Sequence, residues 1–373
     1  MCYKKTQLPE SGLEGHCIGE NRCLRYNKCF RKVSIQGQIQ MTESVLVTMG
    51  GVNAVGNRVA VTTSARLHMG FFDLNGALGR RFGSIGLSLK TPQTEIEISS
   101  AAHLTVKGEC AARASKVATE LLQTLGLPSS IHIEVKQAIP EHSGLGSGTQ
   151  MALAIGMAIS DFYQLDLNVN EIAVLTQRGA RSGIGLGTFA QGGLIVDGGR
   201  AAKSKVPPVI AHADFPEDWP ILLIFDKAHQ GVHGQQEIDA FRNLPEFPAE
   251  HSAILCRHVL MQALPALAER DLSSFGAAIR ALQEITGDYF APAQGGARYT
   301  SKLVADVLAH LEVVGVACLG QSSWGPTGFA IFENQSQAEK HLKQLKTIFE
   351  NHAGLSFVLT TANNAASVVR KII

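Results

Sequence analysis

The chain has 373 residues, of which 45% are apolar and 17% charged, and its formal net charge is +1 at pH 7. This size and composition predict a globular protein of two or three domains with a substantial core. A net charge near zero gives no general electrostatic basis for binding nucleic acid or an acidic membrane. The longest near-continuous apolar run, residues 151–159, is far shorter than a membrane-spanning helix. We therefore expect neither nucleic acid nor a membrane among the partners.

The first 40 residues differ in composition from the rest of the chain. Residues 1–32 contain seven Lys or Arg, three Glu and several of the seven cysteines. His16, Cys17, Cys23 and Cys29 raise the alternative of a metal site, but the cysteines are spaced more widely than in a zinc knuckle. We interpret residues 1–40 as a flexible N-terminal extension, with Met41 as an alternative start. The absence of an apolar signal core and the odd number of cysteines predict a cytoplasmic protein with free thiols.

Hydrophobic periodicity predicts the following elements in chain order. Strands are expected at 59–63, 95–99 and 130–136, and helices at 109–125 and 149–162. A further helix should run from Asn170, a good N-cap, to about residue 178. Glycine-rich segments at 183–187 and 192–199 are expected to bracket a short strand. Prolines at 207, 208, 216 and 220 mark a domain junction.

The second half repeats an alternation of strands and helices. Strands are predicted at 221–225, 315–319, 328–332 and 355–361, and helices at about 252–269, 272–285, 299–310 and 335–351. This alternation, with antiparallel character, suggests an α+β fold. We predict an N-terminal domain at 41–215, which carries a glycine-rich loop, and a C-terminal domain at 216–373.

The strongest local signal is that glycine-rich loop between a predicted strand and a predicted helix. Its candidate phosphate-binding residues are Gly144, Leu145, Gly146, Ser147, Gly148 and Thr149. Glycines let the backbone approach a ligand closely, and the start of a helix offers unpaired N–H groups to an anion. The alternative is a tight turn that only packs.

The loop and two other segments resemble the GHMP kinases. The pattern P-x-x-x-G-L-G-S at 140–147 resembles the phosphate loop of that superfamily, and residues 64–70 and 320–329 stand where it has its first and third motifs. The resemblance implies a two-domain GHMP-kinase-like fold. Its N-terminal domain would be like domain 2 of ribosomal protein S5, and its C-terminal domain would be ferredoxin-like.

The chain departs from the kinases at the catalytic acid. Kinases of this superfamily carry S-G-I-D, whose Asp serves the acceptor hydroxyl, whereas this chain has S-G-I-G with Gly185 at that place. Without the carboxylate, activation of an alcohol for attack on ATP loses its main base. A genuine small-molecule kinase and a non-catalytic phosphosugar-binding protein remain as alternatives.

Four separated motifs resemble one branch, the β-ribofuranosylaminobenzene 5′-phosphate synthases. They are R-x-H-x-G-F-x-D at 66–73, R-G-x-x-S-G-I-G at 178–185, F-x-x-G-G-x-x-V-D-G-G at 189–199 and Q-S-S-W-G-P-T at 321–327. The resemblance implies a pentosyltransferase that joins phosphoribosyl pyrophosphate to 4-aminobenzoate or 4-hydroxybenzoate, releasing pyrophosphate and CO₂. It also implies a step in tetrahydromethanopterin synthesis, dependence on Mg²⁺ and a homodimer.

The chemistry of that reaction suggests roles for further residues. Arg66, Arg178 and Arg181 are candidates to hold phosphates, and Asp73 and Asp197 to hold Mg²⁺, with a turn or cap residue as the alternative for either Asp. Other candidates for substrate contacts in the motifs are Ser182, Gly183, Ser322, Ser323, Gly325 and Thr327.

Two histidines and a tryptophan are candidates at the aromatic acceptor. His68 or His142 could act as a base near the para substituent, and Trp324 could stack on the ring. Arg66 and His68 are two residues apart after a strand, so their side chains should share a face. That face would carry a permanent cation beside a group that titrates near neutrality.

Overall fold

The computed structural model describes residues 58–229, 231 and 234–372. The predicted extension at 1–40, with its metal alternative at His16, Cys17, Cys23 and Cys29, lies outside these residues. The cysteines within them, Cys110, Cys256 and Cys318, are free thiols, as predicted. In this part of the chain the longest helices are too short or too polar to cross a membrane.

The first half alternates long strands with helices. Its elements are β1 (Arg58–Asp73), β2 (Arg80–Arg81), β3 (Gly83–Ser100), β4 (Thr105–Gly108), α1 (Ala111–Leu125), β5 (Ile131–Gln137), α2 (Ser147–Phe162), α3 (Val169–Leu175), α4 (Ile184–Gln191), β6 (Leu194–Asp197), β7 (Arg200–Ala201) and β8 (Val209–Ala213).

The second half contains a smaller sheet and most of the longer helices. Its elements are β9 (Ile221–Asp226), α5 (Gln235–Asn243), α6 (Ala249–His258), a π-helical turn (Val259–Ala263), α7 (Leu264–Glu269), α8 (Leu272–Phe290), a 3₁₀ turn (Ala291–Ala293), α9 (Lys302–Val313), β10 (Cys318–Gln321), β11 (Gly328–Ile331), α10 (Gln335–Ile348), β12 (Leu355–Thr360) and β13 (Val368–Ile372). The predicted α+β class is confirmed.

Two sheets organise these elements. The larger one has seven strands in the order β13-β1-β3-β5-β4, with β6 paired to β3 and β8 paired to β6. The smaller one is antiparallel, in the order β10-β11-β9-β12. Because β13 pairs with β1, the last strand of the chain belongs to the sheet of the first half. The domain boundary near residue 215 stays a prediction.

Helix α2 illustrates how sequence determines position. Its residues are apolar on nearly every side, and most of them are buried in a cluster with β1, β3, β5 and α1. A helix that is apolar all round belongs in the interior. The start of α2, and with it the glycine-rich loop, is therefore held in a fixed place at the end of the sheet.

Two predictions about the helices that follow α2 are wrong. The N-cap of α3 is Asn168, not Asn170, because Asn168 accepts hydrogen bonds from the backbone N–H of Asn170 and of Glu171 in a capping box. The segment at 184–191 is helix α4, and the short strand β6 lies inside the second glycine-rich segment rather than between the two. The segment at 184–191 is too short for its periodicity to distinguish a strand from a buried helix.

Candidate functional site

Three motifs that lie far apart in sequence meet around the carbonyl oxygen of Gly144. That oxygen accepts hydrogen bonds from the guanidinium of Arg66 and, at 2.9 Å, from Oγ of Ser322. The same Ser322 hydroxyl accepts a bond of 3.1 Å from the backbone N–H of His68. The backbone N–H of Ser323 donates to the carbonyl of His68 at 3.1 Å. The first motif, the glycine-rich loop and the third motif thus form one site.

Glycines allow these loops to touch backbone to backbone. A Cβ atom on Gly325 would lie 2.3 Å from Cα of Gly144, and a Cβ on Gly144 would lie 2.3 Å from the carbonyl oxygen of Ser322. Real Cβ atoms do not approach so closely, so neither position accepts a side chain without a shift of backbone. Leu145 is fully buried and accepts a bond from the backbone of Arg66. Gly144 and Leu145 therefore have a packing role in addition to the ligand contacts predicted for them.

The side chain of Arg66 lies next to the residue that begins α2. A Cβ on Gly146, the N-cap of α2, would lie 3.1 Å from Cγ and from Nε of Arg66. Burial lowers the pKa of Arg66 to about 10, against a weaker opposing effect of Glu237, so the guanidinium stays charged at neutral pH. No carboxylate of the described residues forms an ion pair with it within 4.0 Å. A half-buried cation at the start of a helix favours an anion there.

Two further arginines flank the first turn of α2. A Cβ on Gly148 would lie 3.6 Å from Nη1 of Arg178 and 3.7 Å from Nη1 of Arg113. Arg113 also lies 3.4 Å from Oγ of Ser147 and pairs with Glu141 at 2.7 Å. Burial and then the charge of Arg113 lower the pKa of Arg178. We call Arg66, Arg113, Arg178 and the helix start at 147–149 the cationic cradle.

Arg113 was missed by sequence reasoning. It lies on α1, an amphipathic helix outside every recognised motif, and only the fold brings it to the loop. His142 belongs to the same region, since its Nε2 lies 3.5 Å from Nη2 of Arg113. The buried Nε of Arg178 has no hydrogen-bond partner among the described residues. The cradle thus offers charge and at least one unused donor to an anion.

Arg181 is placed differently from the cradle arginines. It forms an ion pair with Glu237 of α5 and lies 5.2 Å from the ring centre of Phe241. Ser182 and Gly183 face Asp197 rather than open space, because the backbone N–H of Gly183 donates to Oδ2 of Asp197 at 2.9 Å and the Ser182 hydroxyl donates to it at 3.3 Å. A phosphate-binding role for these three residues stays a prediction.

The two predicted magnesium ligands are hydrogen-bonded to groups of the protein, and their binding to magnesium stays a prediction. Asp197 is fully buried, and its oxygens accept bonds from Ser84, Ser182, Gly183 and Gly199. Burial raises the pKa of Asp197 to about 6 although those bonds lower it. Asp73 accepts from the turn residues Asn75 and Gly76 and from Ser252. Within the described ranges no three His, Cys, Asp or Glu side chains are grouped to hold a metal. The alternative role predicted for Asp73 and Asp197, that of a turn or cap residue, agrees with their bonds to backbone N–H groups.

Beside the cradle lies a pocket lined mainly by aromatic and amide side chains. His68, Phe71, Phe290 and Trp324 form its aromatic part. The indole of Trp324 is 3% exposed, and its ring centre lies 4.4 Å from that of Phe290. His142 is not among the lining residues. Of the two histidines, only His68 is therefore positioned to meet a ligand in this pocket.

His68 does not titrate near neutrality, so that prediction is wrong. Burial and then the charge of Arg66 lower its pKa to about 3, although a hydrogen bond to its own backbone works in the opposite direction. The imidazole is therefore neutral at physiological pH. A ring with so low a pKa is a hydrogen-bond acceptor or donor rather than an efficient proton acceptor.

Comparisons with known proteins identify the family. The family models for the GHMP kinases N terminal domain and the GHMP kinases C terminal match residues 112–193 and 263–351. The β-ribofuranosylphenol 5′-phosphate synthase of Archaeoglobus fulgidus is 35% identical over 288 residues, which cover 74% of this chain and 88% of that protein. The enzyme of the same name from Methanocaldococcus jannaschii is 33% identical, over 82% of this chain and 98% of its own. The chain belongs to the β-ribofuranosylphenol 5′-phosphate synthase family.

Solved structures of low sequence identity bear on the fold of this synthase-family chain. Homoserine kinase from Cytophaga hutchinsonii superposes with a TM-score of 0.60 at 19% identity, over 85% of this chain and 98% of its own. Mevalonate diphosphate decarboxylase from Staphylococcus aureus gives 0.59 at 15% identity, over 84% and 98%. The GHMP-kinase-like fold and the branch predicted from four motifs are confirmed.

Proposed function

We propose that this chain joins phosphoribosyl pyrophosphate to 4-hydroxybenzoate or 4-aminobenzoate and releases pyrophosphate and CO₂. The product is a β-ribofuranosyl-arene 5′-phosphate. The single observation that carries the proposal is the juxtaposition of the cationic cradle with a pocket lined by His68, Phe71, Phe290 and Trp324. One side suits a phosphorylated sugar and the other a flat aromatic acid. The name of the relatives, a phenol riboside phosphate synthase, supports the same product.

The cradle suits the donor because the donor carries several negative charges. Guanidinium groups match phosphate oxygens in geometry and remain charged when buried. Arg66 and Arg178 are both partly desolvated, which strengthens their attraction to an anion. An anion would also relieve the repulsion between Arg113 and Arg178 around Gly148. Magnesium would arrive as part of the substrate, bound to the diphosphate, since no three metal-ligating side chains are grouped in the described part of the chain to hold a resident ion.

The reaction needs no nucleophile from the protein. The C–O bond between ribose C1 and pyrophosphate breaks, and its electron pair leaves with the pyrophosphate. The ring carbon that bears the carboxylate attacks C1, assisted by electrons from the para hydroxyl or amino group. The bond to the carboxylate then breaks, CO₂ leaves, and its electron pair restores the aromatic ring. The chain's part is to orient both substrates and to stabilise the departing charge.

The packing beside Gly185 argues against the kinase alternative. A Cβ at position 185, where the kinases carry their Asp, would lie 3.0 Å from Cγ2 of Thr149. The Thr149 side chain thus already fills the space beside that position. The charged and polar side chains at the site argue against the other alternative, a non-catalytic phosphosugar-binding protein. An assay for turnover distinguishes that alternative from an enzyme.

A homodimer, a cytoplasmic location and a place in tetrahydromethanopterin synthesis belong to the same proposal. They rest on the family resemblance. Light scattering coupled to size-exclusion chromatography tests the dimer, for which we expect twice the chain mass of 39.9 kDa.

The proposed function is tested by incubating the purified chain with phosphoribosyl pyrophosphate, Mg²⁺ and either benzoate. We expect pyrophosphate and CO₂ in equal amounts. Arg113→Gln should raise the KM for phosphoribosyl pyrophosphate by about 10-fold or more, because hydrogen bonds to a charged group are worth about 1.5–3 kcal/mol. Initial rates at varied donor concentration measure this effect.

Arg280→Gln is the matched control for Arg113→Gln. Arg280 also pairs with a glutamate, Glu312, at 2.8 Å, but it lies on α8 outside the cradle. Its replacement should leave the KM unchanged. Failure of the wild-type chain to release pyrophosphate with either acceptor would sink the proposed function.

A further inference from the structure

Two buried nitrogens in the aromatic pocket lack hydrogen-bond partners among the described residues. They are Nε2 of His68 and Nε1 of Trp324, in side chains that are 2% and 3% exposed. Both side chains line the pocket. Buried polar atoms are nearly always hydrogen-bonded, so two unpartnered ones in one pocket favour a bound ligand or water that supplies both partners.

The two nitrogens have opposite hydrogen-bonding character. An indole N–H can only donate. The His68 ring is neutral because burial and then the charge of Arg66 lower its pKa, and a neutral imidazole has one donor and one acceptor nitrogen. Its Nδ1 is not among the unpartnered buried atoms, so we assign the ring proton to Nδ1, which leaves a lone pair on Nε2. A group that both donates and accepts satisfies both nitrogens, whereas a carboxylate, which only accepts, cannot satisfy Nε2.

We propose that this pocket binds the aromatic acceptor with its para substituent inward, and that Nε2 of His68 and Nε1 of Trp324 recognise that substituent. The inference rests on the proposed function. A para hydroxyl would donate to His68 and accept from Trp324. The ring would lie against Phe290, whose centre is 4.4 Å from that of Trp324, and aromatic pairs favour such contacts.

The reaction requires the same orientation. The carbon that bears the carboxylate must face C1 of the donor, so the opposite end of the ring has to point away from that reacting carbon. Of the residues that line the pocket, His68 and Trp324 are buried, whereas Ser323, Gln294 and Arg298 are half-buried, and we call these three the mouth of the pocket. Ser323 follows Ser322, which bonds to Gly144 of the glycine-rich loop. The mouth therefore adjoins the loop that leads into the cradle.

The pocket is narrow before a ligand enters. Its cavity volume is only about 30 Å³, which is too little for a benzene ring, since a cavity that binds benzene measures about 150 Å³. Binding therefore requires an outward movement of the mouth side chains. The half-buried Arg298 is held by the exposed carboxylate of Asp288 through bonds of 2.8 and 3.0 Å, and ion pairs that reach solvent are weak.

The chain has two tryptophans, so fluorescence can report on Trp324 directly. Trp219 lies apart from the pocket, packed on Phe215 and Phe275. In Trp219→Phe, where Trp324 is the remaining fluorophore, we expect added 4-hydroxybenzoate to change the emission. In Trp324→Phe the same addition should leave the emission of Trp219 unchanged. Thermal melting followed by circular dichroism checks that both variants are folded.

Calorimetry then separates recognition of the para group from packing of the ring. Trp324→Phe should raise the Kd of 4-hydroxybenzoate about five-fold, the effect expected for one neutral hydrogen bond, and leave the Kd of benzoate nearly unchanged. Equal losses for the two acids, or an unchanged Trp324 emission on binding, would overturn the proposal. Binding and fluorescence as expected without release of pyrophosphate would contradict the proposed function but support the pocket.

Discussion

His68 is a neutral imidazole held in the interior beside the cation of Arg66. Its pKa in the folded chain is about 3, below the value of about 6.5 in an unfolded chain. The unfolded state therefore takes up a proton first, and stability is lost as the pH falls from about 6.5 towards 3. When the pH falls from about 7.5 to about 5, the free energy of unfolding of the wild type should decrease. We expect this decrease to be about 2 kcal/mol smaller in His68→Gln. Urea unfolding at the two pH values measures the difference.

A surface histidine provides the control for this pH experiment. His103→Gln changes an exposed position, and its unfolding should follow the wild type at both pH values. If the wild type and His68→Gln lost the same stability on acidification, the imidazole would not be buried in its neutral form, and its role as an acceptor in the pocket would have to be abandoned.

At this scale the motif residues could be predicted, but their bonding partners could not. Arg66, His68 and Ser322 come together as the motifs predicted. Asp197 was a plausible metal ligand in sequence, since a sequence does not reveal that backbone and hydroxyl donors already occupy its oxygens. Arg113 could not be found because nothing in its own helix distinguishes it from a surface arginine. Its place beside the glycine-rich loop depends on where α1 begins relative to α2, which only the fold determines.

At the scale of elements, α2 and α4 pack through the pair Thr149 and Gly185. A side chain at position 185 would begin 3.0 Å from the methyl group of Thr149. Gly185→Asp should cost about 1–3 kcal/mol of stability through overpacking. Thr149→Ala should remove the clash, so the double variant Thr149→Ala/Gly185→Asp should be more stable than the sum of the single effects by at least about 0.5 kcal/mol.

Urea unfolding of the wild type, both single variants and the double variant gives this coupling energy. Gly185→Ala is the control for chain stiffness, since it adds a Cβ without the carboxylate and should cost less than Gly185→Asp. Additive effects of the two substitutions would contradict the contact and would remove this steric argument against a kinase.

Elements with a clear local pattern were predicted better than elements whose pattern is interrupted or whose place depends on distant pairing. Helix α1 and strand β9 fall within a few residues of their predicted bounds. Strand β1 runs for 16 residues, although only 59–63 was predicted, because its later part is buried on both faces and includes Arg66 and His68 where alternation fails. Strand β13 was not predicted at all. Its place depends on pairing with β1 at the other end of the chain, which is a contact without a local signal.

At the scale of the whole molecule, the last strand, β13, pairs with β1, the strand that carries Arg66 and His68. Val369 of β13 pairs with Val61 of β1 and packs against the core of the larger sheet, whereas its neighbour Val368 is 47% exposed. Val369→Asp should lower the stability by about 2 kcal/mol and Tm on the order of 5 °C, because a carboxylate would enter apolar surroundings. Val368→Asp, the same change on the opposite face of the strand, should leave Tm within about 1–2 °C of the wild type. Calorimetric melting of the two variants tests this contrast. Equal shifts of Tm in the two variants would mean that the side chain of Val369 is not packed against the core of the larger sheet.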